Sequence, residues 1–268
     1  MAIGEFHKMH GLGNDFIIID GRAHPMEMSP ARARHIADRK LGIGCDQLIL
    51  LLPSAVADLA MRIFNSDGSE VEACGNASRC VIALLKQDLE IETKGGVISG
   101  QLFGNDVTVS MGEAKFDWRD IPLAFAMDTS SIPLGWDELE NPIAINMGNP
   151  HAVFFVDDVD AIDLTRLGPI IEHDTVFPER VNVNVASVDR NEIHLNVWER
   201  GAGLTGACGT GACATAVAAI KRGKAKSPVI VHQSGGALTI EWGPGQPVVM
   251  TGSATYVFAG QANWDEFG

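Results

Sequence analysis

The segment ACGNASRCVIALLK, from Ala73, recurs as ACGTGACATAVAAIK from Ala207, and this repeat restricts the possible folds more than any other feature of the chain. Each copy has a Cys-Gly pair, then small or polar residues, then an apolar run ending in lysine. Cys74 and Cys208 lie 134 residues apart in a chain of 268, which is half its length. The interval recurs elsewhere. GLGNDFIIID from Gly11 resembles NMGNPHAVFFVDD from Asn146, so that Asn14 and Asn149 are 135 apart. Gln47 and Asn182 are also 135 apart, and Asn65 and Glu199 are 134 apart. Matches at one interval across the chain read as a duplication. Two similar domains of ordinary size are expected, 1–123 carrying Cys74 and 124–268 carrying Cys208.

Short apolar or β-branched runs bounded by Gly, Asp, Pro and Asn predict strands over 16–20, 47–52, 60–64 and 90–93 in the first half. In the second half they predict strands over 152–156, 192–198, 228–232, 238–242 and 248–251. Helices are expected over 31–39, 76–87 and 211–222, the last dense in alanine and closed by Gly223. The proline-punctuated stretch 118–141 reads as the crossover. The fold class is therefore α/β (α+β), with two pseudo-symmetric domains.

Net charge is −14, from 34 acidic and 20 basic residues, which argues against a nucleic-acid partner. No apolar run reaches the roughly 18 residues of a membrane span, and MAIGEFHKMHG lacks the apolar stretch of a secretory signal. A soluble, cytoplasmic protein without a membrane partner is expected. Five cysteines, an odd number, suggest reduced thiols in such a compartment.

Both repeats place Cys-Gly after a loop and before a helix, where unpaired N–H groups and the positive end of the helix dipole gather. Such a position should lower a thiol's pKa, and the same N–H groups can hold a carboxylate. Two such starts facing each other would put a thiol on either side of one carbon. Inverting an α-carbon has that requirement, because one base reaches only one face. Donors aimed at the substrate carboxylate would stabilise the developing charge. No glycine-rich phosphate loop followed by lysine suggests pyridoxal phosphate, so no cofactor is expected, and no metal.

The bland reading is that Cys74 and Cys208 are buried structural thiols; their duplication at two helix starts favours a functional one. Cys80 and Cys213 fall within the apolar parts of the helices and read as core, and Cys45 as structural. The spacings CxxxxxC and CxxxxC suit neither a structural zinc nor a CxxC redox site. A nucleophilic Cys–His pair using His151 explains one cysteine and leaves the other without a role.

HGLGNDF, GIGCDQ, RIFNSDGSEVEACGNASRC, NMGNPHAV, FPERVNVN and VWERGAGLTGACGTGACA together resemble, in order, the signature segments of the diaminopimelate epimerase family. The resemblance implies two related halves, each a curled β-sheet around a central helix, with the active site between them. It implies interconversion of LL- and meso-diaminopimelate on the route to lysine and peptidoglycan. Cys74 and Cys208 match the family's acid–base pair, and His151 and Glu199 match residues that tune the cysteines. Substrate contacts fall on Asn14, Gln47, Asn65, Gly75, Asn76, Asn149, Asn182, Glu199, Arg200, Gly209 and Thr210. Arg200 suits the carboxylate of the substrate's second amino-acid head. Three residues depart from the family pattern. Ala77–Ser78 stand where many relatives have Gly-Ala, and Phe258 stands where some carry a tyrosine at a dimer contact; a homodimer is expected. The rivals are a proline racemase-like or 3-hydroxyproline epimerase enzyme, a non-catalytic binding protein on the same scaffold, and a redox sensor whose two thiols oxidise to a disulfide. GLGNDF, GCDQ and WERGAG favour diaminopimelate.

Overall fold

The structure is a computed structural model that describes residues 3–24, 26–72 and 74–267. Ala73, which opens the first copy of the repeat, lies outside the described residues. The chain forms two compact units, Met1–Val109 with Gly252–Gly268, and Ser110–Thr251. The division differs from the single cut expected at 123/124, because 110–123 belongs to the second unit and 252–268 to the first. Backbone pairing explains the second difference. The last strand, Thr255–Asn263, runs antiparallel to the first, Ile3–Gly11, from Ile3↔Asn263 to His10↔Thr255. A ladder between chain ends leaves no local pattern in the sequence.

The first unit contains β1 (Ile3–Gly11), β2 (Asn14–Asp20), α1 (Pro30–Ala37), β3 (Gln47–Leu52), β4 (Leu59–Asn65) and β5 (Glu70–Val71). It continues with α2 (Gly75–Leu85), β6 (Leu89–Thr93), β7 (Gly96–Phe103) and β8 (Asp106–Ser110). The second contains β9 (Gly135–Trp136), β10 (Leu139–Glu140), β11 (Ile143–Asn146), β12 (Pro150–Phe155), α3 (Leu164–Glu172), β13 (Asn182–Asp189), β14 (Glu192–Glu199) and β15 (Gly203–Thr205). Then come α4 (Gly209–Lys221), β16 (Val229–Gln233), β17 (Gly236–Glu241) and β18 (Val249–Ser253), and β19 is the returning strand Thr255–Asn263.

The repeat is written in the strand register. In the first unit β2 lies parallel to β3 with Phe16 opposite Gln47; in the second β12 lies parallel to β13 with His151 opposite Asn182. β3 and β13 each pair antiparallel with the next strand. β4 and β14 then pair parallel with β6 and β16 after a helical crossover. Both units continue into hairpins that turn at Thr93↔Gly96 and Gln233↔Gly236.

Each β2/β12-type strand is buried on both faces, so its sequence shows little alternation. One face packs on the outer helix: Ile17, Ile19, Leu48 and Leu50 cluster with Ala33 and Ile36 of α1. Likewise Ala152, Phe154, Val183 and Val185 cluster with Leu167 and Ile171 of α3. The other face meets the inner helix. Gly75–Ile82 of α2 are all buried, and α4 touches strands β11 to β14, β16 and β17. Burial on every side, which in α2 takes in even Arg79, marks both as central helices.

Candidate active site

In both units the polar residues picked out by the repeat stand at strand ends and at the start of the central helix. Cys74 and Cys208 are the N-cap residues of α2 and α4, with extended φ of −149° and −127°. Cys74 is half-buried and Cys208 is buried.

In the first unit, Gln47 opens β3 opposite Asn65 at the end of β4, and Gln47 Nε2 donates to Asn65 Oδ1 at 2.9 Å. Asn76, in the first turn of α2, donates to Asn14 Oδ1 at 3.3 Å. Asn14 Nδ2 and the Asp15 N–H both donate to Asp46 Oδ2. Asp15 binds Lys8 and Arg39, which hold its carboxyl well below the usual range against the opposing effect of burial. The GLGNDF and GCDQ segments are thus pinned to each other by a charged clamp.

In the second unit, the Cys208 Sγ accepts from the Gly211 N–H at 3.3 Å and lies 3.5 Å from Thr210 Oγ1. The Cys208 N–H donates to Gln233 Oε1 at 2.7 Å. Burial pushes the Cys208 thiol well above its ordinary pKa, and the Glu199 carboxylate beside it adds to the rise; Thr210 and the Gly211 N–H only partly oppose it. The expectation of a lowered pKa is overturned here. At this helix start, desolvation and a neighbouring anion outweigh the helix dipole. Burial also raises Glu199, which accepts from Thr205 Oγ1 at 2.5 Å and from the Cys208 thiol. Cys45 and Cys80 are buried and both pushed up to about 12 by desolvation. Cys213 is buried in α4.

Asn182 is committed to the site's own framework: its Nδ2 donates to Pro150 O at 2.8 Å and its Oδ1 accepts the Arg200 N–H at 2.9 Å. The exposed Arg200 side chain donates to Glu179 O at 3.0 Å. His151 is fully buried, with Nε2 against Asn149 Oδ1 at 2.9 Å and Nδ1 against Asn184 Oδ1 at 3.2 Å. Desolvation lowers it to about 4. Both ring nitrogens face amides, so any influence of His151 on a thiol passes through them.

Three supporting residues escape the sequence reading. Gln233 caps the Cys208 N–H. Glu172, at the end of α3, accepts from Trp198 Nε1 at 2.7 Å and from the Gly201 N–H at 2.9 Å, so it grips both flanks of Glu199–Arg200. Gly168 makes that approach possible, since a Cβ there would come within 2.4 Å of the Trp198 ring. Asn184 is the third. Its signal was present: asparagine is poorly suited to strand interiors, and alternation in VNVNV puts Asn182 and Asn184 on one face. Among the described residues no group of three His, Cys, Asp or Glu is placed to hold a metal, and no helix is long and apolar enough to cross a membrane.

A twice-used α/β half, each wrapped around a buried helix, defines a class of duplicated α/β proteins. The same fold is seen in a PhzF-family phenazine biosynthesis protein from Bacillus anthracis, at TM-score 0.72 and 19% identity over 98% of this chain and 100% of that one. Within that class, the profile described as diaminopimelate epimerase matches residues 6–117 and 143–257, one stretch in each half. The diaminopimelate epimerase of Rhizorhabdus wittichii is 63% identical over 98% of this chain and 97% of its own length. That of Sphingopyxis alaskensis is 60% identical over 98% of both. The chain belongs to the diaminopimelate epimerase family.

Proposed function

We propose that the protein epimerises LL-diaminopimelate to meso-diaminopimelate without a cofactor, using Cys74 and Cys208 as its two acid–base groups. One observation carries the mechanism: the duplicated register puts a cysteine at the N-cap of each central helix. The family membership of the chain supplies the substrate.

Roles follow from the local chemistry. Cys208 is buried beside the Glu199 carboxylate, so it rests as the thiol and supplies a proton. In the direction that begins with Cys208 protonated, Cys74 takes the α-hydrogen as the thiolate. Pulling that hydrogen moves electron density onto the α-carboxylate, where preorganised N–H donors lower the barrier. In the second unit the Cys208 N–H is taken by Gln233 and the Gly211 N–H by Cys208 itself, which leaves those of Gly209 and Thr210 for the carboxylate. Gly75 and Asn76 offer the matching pair in the first unit. Asn14, Gln47, Asn65, Asn149, Glu199 and Arg200 form the remaining substrate surface, with the Arg200 guanidinium on the distal carboxylate and the buried Asn182 contributing by holding the Arg200 N–H. The protein acts in the cytoplasm as a homodimer, a reading supported by three consecutive exposed side chains on β19: Tyr256, Val257 and Phe258.

The test is incubation of reduced protein with LL-diaminopimelate in D₂O, following α-deuterium and the meso isomer together. One deuterium entering the inverted centre as meso product accumulates is the expected result. Neither signal, with turnover of proline or hydroxyproline instead, would replace diaminopimelate as the substrate; no exchange on any of them would end the epimerase reading. Light scattering of the eluted protein checks the dimer.

A further inference from the structure

The second unit buries a polar chain where the first buries hydrocarbon. Asn184 occupies the register position of Ile49, since Val153 faces Asn184 across β12–β13 as Ile18 faces Ile49 across β2–β3. His151 likewise corresponds to Phe16. Counted from the N-cap cysteines at their 134-residue interval, Thr215 corresponds to Val81. All six side chains are essentially fully buried. The same framework therefore packs well with Phe, Ile and Val, and a buried polar cluster is costly unless fully bonded. Its retention in one half calls for a role other than stability.

The direction of the hydrogen bonds shows what that role is. The Gly211 carbonyl can only accept, and it takes bonds from Asn184 Nδ2 at 3.0 Å and Thr215 Oγ1 at 2.7 Å. Asn184 Nδ2 also donates to Thr215 Oγ1 at 2.9 Å. The Asn184 amide cannot be turned round, because its oxygen would then face the Gly211 oxygen. Its Oδ1 must accept, so His151 must carry a proton on Nδ1. A neutral ring then has a bare Nε2, and the side chain that faces it among the described residues is Asn149, which can satisfy it with an N–H. The structure sets Asn149 Oδ1 at that nitrogen, but a half-turn of the amide exchanges oxygen and nitrogen without changing the side chain's shape. An imidazolium would satisfy both oxygens, yet full burial and the Arg200 charge both disfavour it.

We infer that Asn184 is a positioning residue: through the His151 ring it fixes Asn149 as donor to Nε2, leaving Oδ1 and the second N–H of Asn149 to meet the substrate. The polarity of a site amide is thus set by a backbone carbonyl in the first turn of the helix that Cys208 opens. The link to substrate rests on the role proposed above for Asn149; the tautomer does not.

Long-range ¹H–¹⁵N correlation of the histidine rings in the ¹⁵N-labelled full chain tests this, with His151 assigned by the signals lost in His151→Gln. The Nδ1–H tautomer near neutral pH is expected. An Nε2–H tautomer or an imidazolium overturns the inference, and the wild-type spectrum alone decides that point. Asn184→Leu should release the ring to the Nε2–H form and raise KM about tenfold with kcat little changed. An unchanged tautomer in Asn184→Leu removes the residue's role, since a merely structural loss would lower Tm and leave the ring as it was. A switched tautomer with unchanged KM breaks the link to Asn149 and leaves the epimerase reading standing.

Discussion

The two halves share a backbone plan down to the residue opposite each strand start, and differ in what they place on it. Around Cys74 the duplicated positions are neutral: Asn14, Gln47 and Asn65 form amide–amide hydrogen bonds, and the interior behind them is Phe16, Ile49 and Val81. Around Cys208 one amide has become Glu199, and the interior is His151, Asn184 and Thr215. Duplication therefore kept the helix start that holds a cysteine, and the position that is Asn65 in the first half holds the Glu199 carboxylate beside Cys208 in the second. The two-base mechanism proposed above requires a difference between the thiols, because one group must hold a proton while the other accepts one.

The largest expected effect tests the shared part. Cys74→Ser and Cys208→Ser should each reduce epimerisation by about 10²–10⁴-fold, the range of a lost acid or base, with an unchanged circular-dichroism spectrum. Substantial turnover in either variant would remove the need for a pair.

Next comes the part that differs. Glu199→Gln gives the second unit an amide like that of Asn65 and removes the charge that helps raise Cys208. The thiolate of Cys208 should then appear at lower pH, read by ultraviolet thiolate absorbance against a Cys208→Ser control, and kcat should fall by about 10–100-fold. A thiol titration identical to wild type would show that burial alone sets the Cys208 proton.

The interior can be exchanged as well. Folded His151 takes its proton only near pH 4, against 6.5 for an unburied histidine. Its pKa is depressed on folding, so the stability it permits is present above about 6.5 and is lost as pH falls towards 4, on the order of 3 kcal/mol in all. The variant carrying His151→Phe, Asn184→Ile and Thr215→Val should lose that acid sensitivity and match wild-type stability at neutral pH within about 1 kcal/mol. His151→Phe alone should cost about 1–3 kcal/mol, because Asn184 Oδ1 is left buried without its donor. Urea titrations at several pH values distinguish these cases. If the triple variant unfolds, the two interiors are not interchangeable.

The smallest effects lie at the outer helices. Ser29 caps α1 and Asp163 caps α3, each accepting from the N–H three residues on. Ser29→Ala and Asp163→Ala should each cost about 1 kcal/mol in Tm or urea measurements. A much larger cost at one would mean that the two crossovers carry unequal weight.

Much of this was legible in the chain. The strand Gln47–Leu52 is observed with the predicted bounds, and the central helices begin within two residues of their predicted starts. Both follow from local propensity and turn chemistry. β1, β7, β8, β11, β13, β19 and α3 were not anticipated, nor were the short β5, β9, β10 and β15. β1 and β19 pair across the whole chain, and β13 is interrupted by two asparagines whose polarity only its partners on α4 and β12 explain. The β1–β19 pairing is also why residues 252–268 group with the first unit. The cysteines, the strand-end amides and Glu199 stand out in the sequence because duplication repeats position as well as residue type. Gln233, Glu172 and Asn184 touch the site from elements distant in sequence, so no interval marked them.

The sequence by itself determined that there are two related halves, that each begins a helix with a cysteine, and which polar residues share a strand end with it. Those properties are periodic or local, and a linear chain records them. The tertiary structure decided the rest: that Cys208 is buried beside a carboxylate, which together push its thiol pKa up, and that His151 is held between two amides. Protonation depends on how much water and charge surround a group, and the side chains that set both are brought there by folding alone.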